Sequence, residues 1–282
     1  MKDTTFLILG GDNRSLYLGE FLENQDLKVC YYAFNHTECY NSLEEAMNAS
    51  DIIILPLPFT RDRLTLNTPL FDEVVLISDI LALLSSKKMV FGGQLPKSFC
   101  EELDSRCCNY CDYFLLPELA IYNAVPTAEG VVQVLIEELP ITIHGMKCGV
   151  LGYGKVGKIL AATLHSLGAE VTVFARKESD FATIHASSMN YKHFESLETE
   201  YNDFDAVINT VPTKVLGEAQ LSNLNSECVL IEVASAPFGI DFQAVKERAF
   251  KVVKAGSLPG KVAPKTAGEI IGRSIIRRCL SC

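Results

Sequence analysis

The chain has 282 residues, 48% hydrophobic and 21% charged, a globular composition with length enough for two ordinary domains. Its 35 acids against 25 Lys plus Arg leave a formal net charge of −10 and no basic stripe, which argues against nucleic acid as a partner. The longest apolar run, VVLISDILALL, is broken by Asp79 and falls short of the about 20 residues that cross a bilayer. With an N-terminus, MKDTTFLILGG, that enters a strand at once, this gives the expectation of a cytoplasmic protein with no membrane partner.

Ten cysteines suit reduced thiols in that compartment. CCNYC (Cys107, Cys108, Cys111) and CLSC (Cys279, Cys282) have the C-x2-C spacing of a zinc knuckle. No His accompanies either pair and the second sits at a chain end, so no metal is expected.

In the first half, TFLIL (5–9), KVCYYAF (28–34), DIIIL (51–55), VVLI (74–77) and KMVF (88–91) read as strands. Their nearly continuous apolar character suits strands buried on both faces of a parallel sheet. SLYLGEFLEN and SLEEAMNAS between them have helical spacing. PTAEGVVQVLIEEL (126–139) reads as a helix with Pro126 in its first turn, ending before Pro140 and Gly145. The rhythm then restarts with KCGVLGYG, EVTVFAR, DAVINTVP, CVLIEVAS and FKVVKAG, and TAGEIIGRSIIRR closes the chain as a helix. The expected fold class is α/β, two doubly wound parallel-sheet (Rossmann-like) domains joined by an interdomain helix. The expected bounds are 1–122, a linking helix 123–144, a dinucleotide-binding domain 145–262, and a C-terminal helix 263–282 packing back on the first domain.

GVLGYGKVGKIL holds G-x-G-x-x-G at Gly152, Gly154 and Gly157, directly after a strand and opening an apolar-periodic helix. Gly152 permits the tight turn, Gly154 lets backbone approach a pyrophosphate, and Gly157 lets helix and strand pack closely. The N–H groups of the turn, including those of Lys155 and Val156, then face the phosphates. The second strand ends in Ala175, Arg176 and Lys177, where an NAD enzyme has an acid for the ribose. A guanidinium there suits a 2′-phosphate, so NADP is expected, with NAD possible if Arg176 stacks on adenine or lies in solvent. Asn209, Thr210 and Val211 end a further strand and border the nicotinamide half by position, as does Ser235; bonding to their own local backbone is the alternative.

In the first domain, LILGGDNR is a Gly-rich strand-to-helix turn with Asp12 or Asn13 as the cap and Arg14 in the first helical turn. A cation at a helix start does not help that helix, which points Arg14 to an anion, with a surface salt bridge as the other reading. AGSLPGKVAPKTAG (255–268) reads as a punctuated loop carrying Lys261 and Lys265, either as anion contacts or as solvated connector lysines.

Taken together, GGDNR, NAVPTAEG (123–130), LGYGKVGK, NTVP, VASAPFGIDF and above all GSLPGKVAPKTAG resemble the dipicolinate synthase A-subunit family along nearly the whole chain. The family's GGDAR is GGDNR here, with Arg14 kept, and a Gly-Gly-like pair is replaced by Pro237, Phe238 and Gly239. The resemblance implies a sporulation enzyme of the mother cell that oxidises dihydrodipicolinate, from the lysine pathway, to dipicolinate and reduces a nicotinamide cofactor. It also implies a flavoprotein-like B-type partner protein, and a homo- or hetero-oligomer is expected. A dianionic substrate needs cations, and Arg14, Lys261 and Lys265 are the candidates. Glu129 is the candidate base, with the helix dipole or a water-mediated proton transfer as alternatives.

Two other readings stand beside this one. A two-domain 2-hydroxy- or amino-acid dehydrogenase needs a cleft His with an acid partner, and His36, His144, His165, His185 and His193 fall at unpromising places. A non-catalytic NADP-binding protein that regulates a partner is the third.

Overall fold

The computed structural model describes residues 3–35 and 38–280. His36 and Cys282, singled out above, lie outside the described residues. The chain divides into two compact units, Met1–Asn123 with Ala263–Cys282, and Ala124–Val262.

The first unit runs β1 (Thr5–Leu9), α1 (Asn13–Glu23), β2 (Lys28–Tyr32), α2 (Leu43–Asn48), β3 (Ile52–Ile54), α3 (Ile77–Leu83), β4 (Met89–Gly92), α4 (Lys97–Ser105) and β5 (Asn109–Asp112). All strand pairs are parallel, in the order β2-β1-β3-β4-β5, so the winding direction reverses between β1 and β3. β1 shows why its sequence is uniformly apolar. Phe6 and Ile8 join one core cluster with Leu18, Leu22 and Ile271, while Leu7 and Leu9 join another with Ile80, Phe99 and Leu103. Successive side chains point to opposite faces, and both faces are covered.

Two elements depart from the sequence expectation. VVLI (74–77) is not a strand: Val74 and Leu76 are exposed, one antiparallel bridge joins Thr65 to Leu76, and α3 begins at Ile77. Asp79 in the first turn favours the helix there through the dipole. The fifth strand is β5, which starts inside the CCNYC stretch and ends at Asp112, an edge strand with no apolar run.

α5 spans Pro117–Glu138, so Pro126 lies inside this helix and not in its first turn. Pro117 and Glu118, a proline and an acid at a helix start, are the sequence signal for where it begins. Pro126 brings no N–H to the carbonyl of Tyr122, an exposed residue. By length and composition α5 is also apolar enough to cross a bilayer. Ala128, Val131 and Leu135, at helical spacing on one stripe, are nevertheless part of the second unit's core.

The second unit continues with β6 (Lys147–Leu151), α6 (Lys155–Ser166), β7 (Glu170–Ala175), α7 (Glu178–Ala186), β8 (Asn190–His193), α8 (Ser196–Thr199), β9 (Ala206–Asn209), α9 (Glu218–Leu221), β10 (Val229–Glu232), α10 (Phe242–Glu247), β11 (Val252–Lys254) and α11 (Leu258–Val262). Its parallel sheet has the order β11-β10-β9-β6-β7-β8, the doubly wound order of dinucleotide-binding domains. β8, a polar edge strand paired with β7, is the member that its sequence, NYKH, does not announce.

From Leu258 on, the stretch 255–268 is mostly helical and not a loop: α11 is followed by α12 (Pro264–Leu280), and Pro264 suits a first helical turn. α12 packs on α1 through small residues. A Cβ at Gly268 would lie 2.5 Å from the Arg14 carbonyl oxygen and 2.9 Å from the Leu18 nitrogen. At Gly272 it would meet the ring of Phe21, at 2.5 Å from Cδ1. Backbone does not yield, whereas a half-buried ring turns. Gly268→Ala is therefore expected to destabilise by about 1–2 kcal/mol even after the helix-propensity gain of alanine, and Gly272→Ala to be near neutral. Urea unfolding midpoints of the two variants check this ranking.

Candidate dinucleotide-binding site

The turn after β6 is built by three glycines with three different reasons. Gly152 has φ +96°, and a Cβ there would lie 2.7 Å from Val211 Cγ2 and 2.8 Å from Thr210 Oγ1. A Cβ at Gly157 would strike the Gly152 carbonyl, so the start of α6 sits directly against the turn. Gly154 differs. It caps α6 with ordinary extended dihedrals, φ −80° and ψ −162°, and a Cβ there would meet nothing within 4 Å.

Gly154 gives α6 no capping side chain, and the helix has no acid in its first turn. The N–H groups of Lys155, Val156 and Gly157 thus have no partner within the helix and form the positive end of its dipole. That arrangement fits a dinucleotide pyrophosphate: donors present, steric bulk absent, no competing anion.

A groove of about 310 Å³ continues from the turn, lined among others by Gly152, Gly154, Arg176, Lys177, Thr210 and Val211. Arg176 and Lys177 follow β7 and are exposed, and the Arg176 guanidinium lies 5.3 Å from the Phe194 ring centroid. Asp180, in the first turn of α7, also lines this groove, with Lys158 Nζ 4.0 Å from its carboxylate. A search for an acid at the end of the second strand misses this one, which the following helix brings back.

Asn209 is fully enclosed. Its amide donates to Glu232 Oε1 (2.7 Å) and the Val211 carbonyl (3.0 Å), and accepts from the Val211 N–H (3.0 Å). The expectation of direct cofactor contact is therefore corrected: Asn209 shapes the loop that carries Val211. Thr210 donates its hydroxyl to the Leu151 carbonyl at 2.8 Å, which ties the same loop to the end of β6.

Glu232, absent from the sequence-based candidates, lies across from Asn209 in the β9–β10 register and is 1% exposed. Its carboxylate accepts from Asn209 and from the N–H groups of Ala234, Gly239 and Ile240. A buried acid with four donors fixes the loop after β10. The available signal is a lone acid inside the apolar strand CVLIEVAS.

The expected substrate cations are placed differently from one another. Arg14 is buried, not superficial. Asp12 caps α1 by accepting the Arg14 N–H (3.0 Å) and also grips the guanidinium through Nε (2.9 Å) and Nη2 (2.8 Å); Nη2 also donates to the Leu57 carbonyl. Of the two readings of Arg14, the salt bridge is the one seen, with the arginine buried and not superficial. Lys261, in α11, and Lys265, in the first turn of α12, are both exposed and have no ion pair among the described residues. Glu129 is exposed in the middle of α5 and not at its start, so the dipole explanation for that acid falls away.

Residues 5–114 match the N-terminal domain of the dipicolinate synthase A subunit, and residues 129–248 match the NAD binding domain of the D-isomer specific 2-hydroxyacid dehydrogenases. The chain is 32% identical over 274 residues to the A subunit of dipicolinate synthase from Bacillus subtilis, covering 94% of this chain and 92% of that protein. The crystal structure of the dipicolinate synthase A subunit from Bacillus halodurans superposes with a TM-score of 0.91 at 29% identity, covering 98% of this chain and 97% of that one. A transhydrogenase from Sinorhizobium meliloti, at 12% identity and a TM-score of 0.68 over 98% and 94% of the two chains, shares the fold. The chain belongs to the dipicolinate synthase A-subunit family and carries a nicotinamide-nucleotide domain of the dehydrogenase type.

Proposed function

We propose that the protein oxidises dihydrodipicolinate to pyridine-2,6-dicarboxylate and passes the hydride to NADP. The observation that carries this reading is the open space beside Gly154 in a chain of the dipicolinate synthase A-subunit family. No protein neighbour demands a glycine at that position, so the demand comes from what approaches the turn, a pyrophosphate.

The nicotinamide supplies the hydride acceptor. The substrate loses one hydride and one proton, and aromatisation of its ring drives the step, so the protein's work is binding and orientation. Unpaired N–H groups at the start of α6 hold the phosphates. Arg176 offers a fork and Lys177 a point charge to a 2′-phosphate. Asp180 is the feature that favours NAD, by accepting a ribose hydroxyl. Lys261 and Lys265 remain as exposed cations for the substrate carboxylates, and Glu129 as a carboxylate that accepts the ring proton, with water as the alternative acceptor.

A 2-hydroxyacid dehydrogenase reading needs an imidazole at the nicotinamide groove. His193, on β8, instead packs on Phe181, with ring centroids 4.5 Å apart. The relatives are named as one component of a larger synthase, which supports a second, different polypeptide as the partner. The resemblance supports a cytoplasmic, sporulating mother cell as the setting.

Purified protein, with and without a flavoprotein-like partner, is to be mixed with enzymatically generated dihydrodipicolinate and NADP, and reduced nicotinamide followed by absorbance. Growth of the signal is expected, and its absence in both mixtures sinks the proposal. Gly154→Ala is expected to weaken NADPH binding at least about 10-fold in a fluorescence titration with little change in Tm, since a Cβ there meets no protein atom within 4 Å. Arg176→Ala is expected to weaken NADP roughly 10-fold and NAD much less; equal losses remove the basis for choosing NADP.

A further inference from the structure

In the first unit, the reversal of winding places the sheet's switch point between β1 and β3, where doubly wound sheets take ligands at the strands' carboxyl ends. Two segments meet there. Gly10, the first residue after β1, has φ +65°, and a Cβ on it would lie 2.6 Å from Thr68 Cγ2. The adjacent Asn67 donates its N–H to the Phe59 carbonyl at 2.9 Å, in the segment that leaves β3.

Asn67 is 7% exposed, and its side-chain Nδ2 is buried without a hydrogen-bond partner. The other half of the same amide is engaged: Oδ1 accepts from Arg61 Nε at 3.0 Å. A guanidinium only donates, so this bond fixes which end of the amide is oxygen and leaves Nδ2 as the orphan donor. Oxygen and nitrogen of one amide are roughly 2.3 Å apart, so Nδ2 lies within about 5 Å of Arg61 Nε. A sealed, unused donor is destabilising in a folded protein and calls for a partner.

Arg61 is exposed and forms no ion pair among the described residues. Its neighbour Asp62 forms no ion pair with it. The Asp62 carboxylate instead accepts from the N–H groups of Thr65 and Leu64 (both 2.8 Å) and the hydroxyls of Thr65 (2.7 Å) and Thr60 (3.2 Å). Those bonds, the Thr65 N–H foremost, hold Asp62 well below the usual carboxylate range. They also brace the loop from which Arg61 projects.

We propose that Arg61 and the Asn67 amide form a carboxylate-binding subsite at the switch point of the first unit's sheet, taking one carboxylate of the small dicarboxylate substrate. The proposal rests on the dihydrodipicolinate reading above. Asn67 Oδ1 orients the guanidinium, so that both Nη groups present themselves to the carboxylate in parallel. The neighbour able to move is Arg61, held to the amide by one bond. A carboxylate that draws it forward opens Nδ2 to the same anion. Asn67 is thus a positioning residue for Arg61 and a donor in its own right.

Binding of pyridine-2,6-dicarboxylate to the NADPH-loaded full chain, measured by calorimetry, tests this. Arg61→Gln is expected to weaken the dicarboxylate roughly 10- to 100-fold with NADPH affinity unchanged, because the residue does not line the nucleotide groove, and to lower Tm only slightly, since Asn67 Oδ1 loses its donor. Asn67→Asp is expected to produce a similar loss with NADPH affinity kept, since the new carboxylate pairs with Arg61 and repels the ligand. A wild-type chain that binds the dicarboxylate while Arg61→Gln binds it equally well overturns the subsite and leaves the proposed reaction standing. A wild-type chain that does not bind the dicarboxylate overturns both.

Discussion

A helix that follows a parallel strand begins with several N–H groups that have no partner of their own, and the rest of this molecule is arranged around how those groups are satisfied. The two units answer differently. At α1 the cap is Asp12, whose carboxylate takes the Arg14 N–H and then the Arg14 guanidinium, so the positive helix end meets an anion supplied from within. At α6 the cap is Gly154, which has no side chain, and no acid follows in the first turn. The positive end there is left for an anion from outside. One topology thus gives a closed turn and an open one, and a single capping residue decides which.

The open turn works only if the strand ends beside it keep their shape. Thr210 is tied to Leu151 at the end of β6, and Asn209 to Val211 and Glu232. Glu232 in turn holds Gly239 and Ile240. A buried carboxylate is tolerated because its four donors replace the water it has lost. Removing a single partner from such a network exposes the desolvation penalty of the others. The groove walls are therefore braced by hydrogen bonds where they touch the turn, while Arg176 and Lys177 are exposed.

Legibility in the sequence follows burial. β1, β3, β6, β9 and β10 are covered on both faces, and their apolar runs announce them. β5 and β8 are edge strands with polar residues, so composition gives no sign of them. Pro126 misleads because a proline usually opens or ends a helix, while here it sits within α5. The glycine cradle is legible because its residues are local in sequence. Asp180 is not, nor are Glu232 and the Arg61–Asn67 pair, because each acquires its meaning from a neighbour that the fold supplies: Lys158 at 4.0 Å, Asn209 across a strand pair, an amide left with one free end. Arg14 stands out in the sequence as an unusual cation at a helix start, but its partner, two residues earlier, reads there as a cap alone.

Charge explains why these local pairings decide function. A chain of net charge −10 repels a small dianion at long range, yet at physiological ionic strength that field fades over about 8 Å. What a carboxylate meets on arrival is the set of cations not already matched. Arg14 contributes little to that set, since Asp12 cancels it at 2.8 Å. Asp62, which stands next to Arg61, forms no ion pair with it and is instead held by four donors of its own loop. The loop thus commits its acid to backbone geometry and leaves its arginine unmatched. In a chain with more acids than bases, the position of each carboxylate determines which cations are left to bind a ligand.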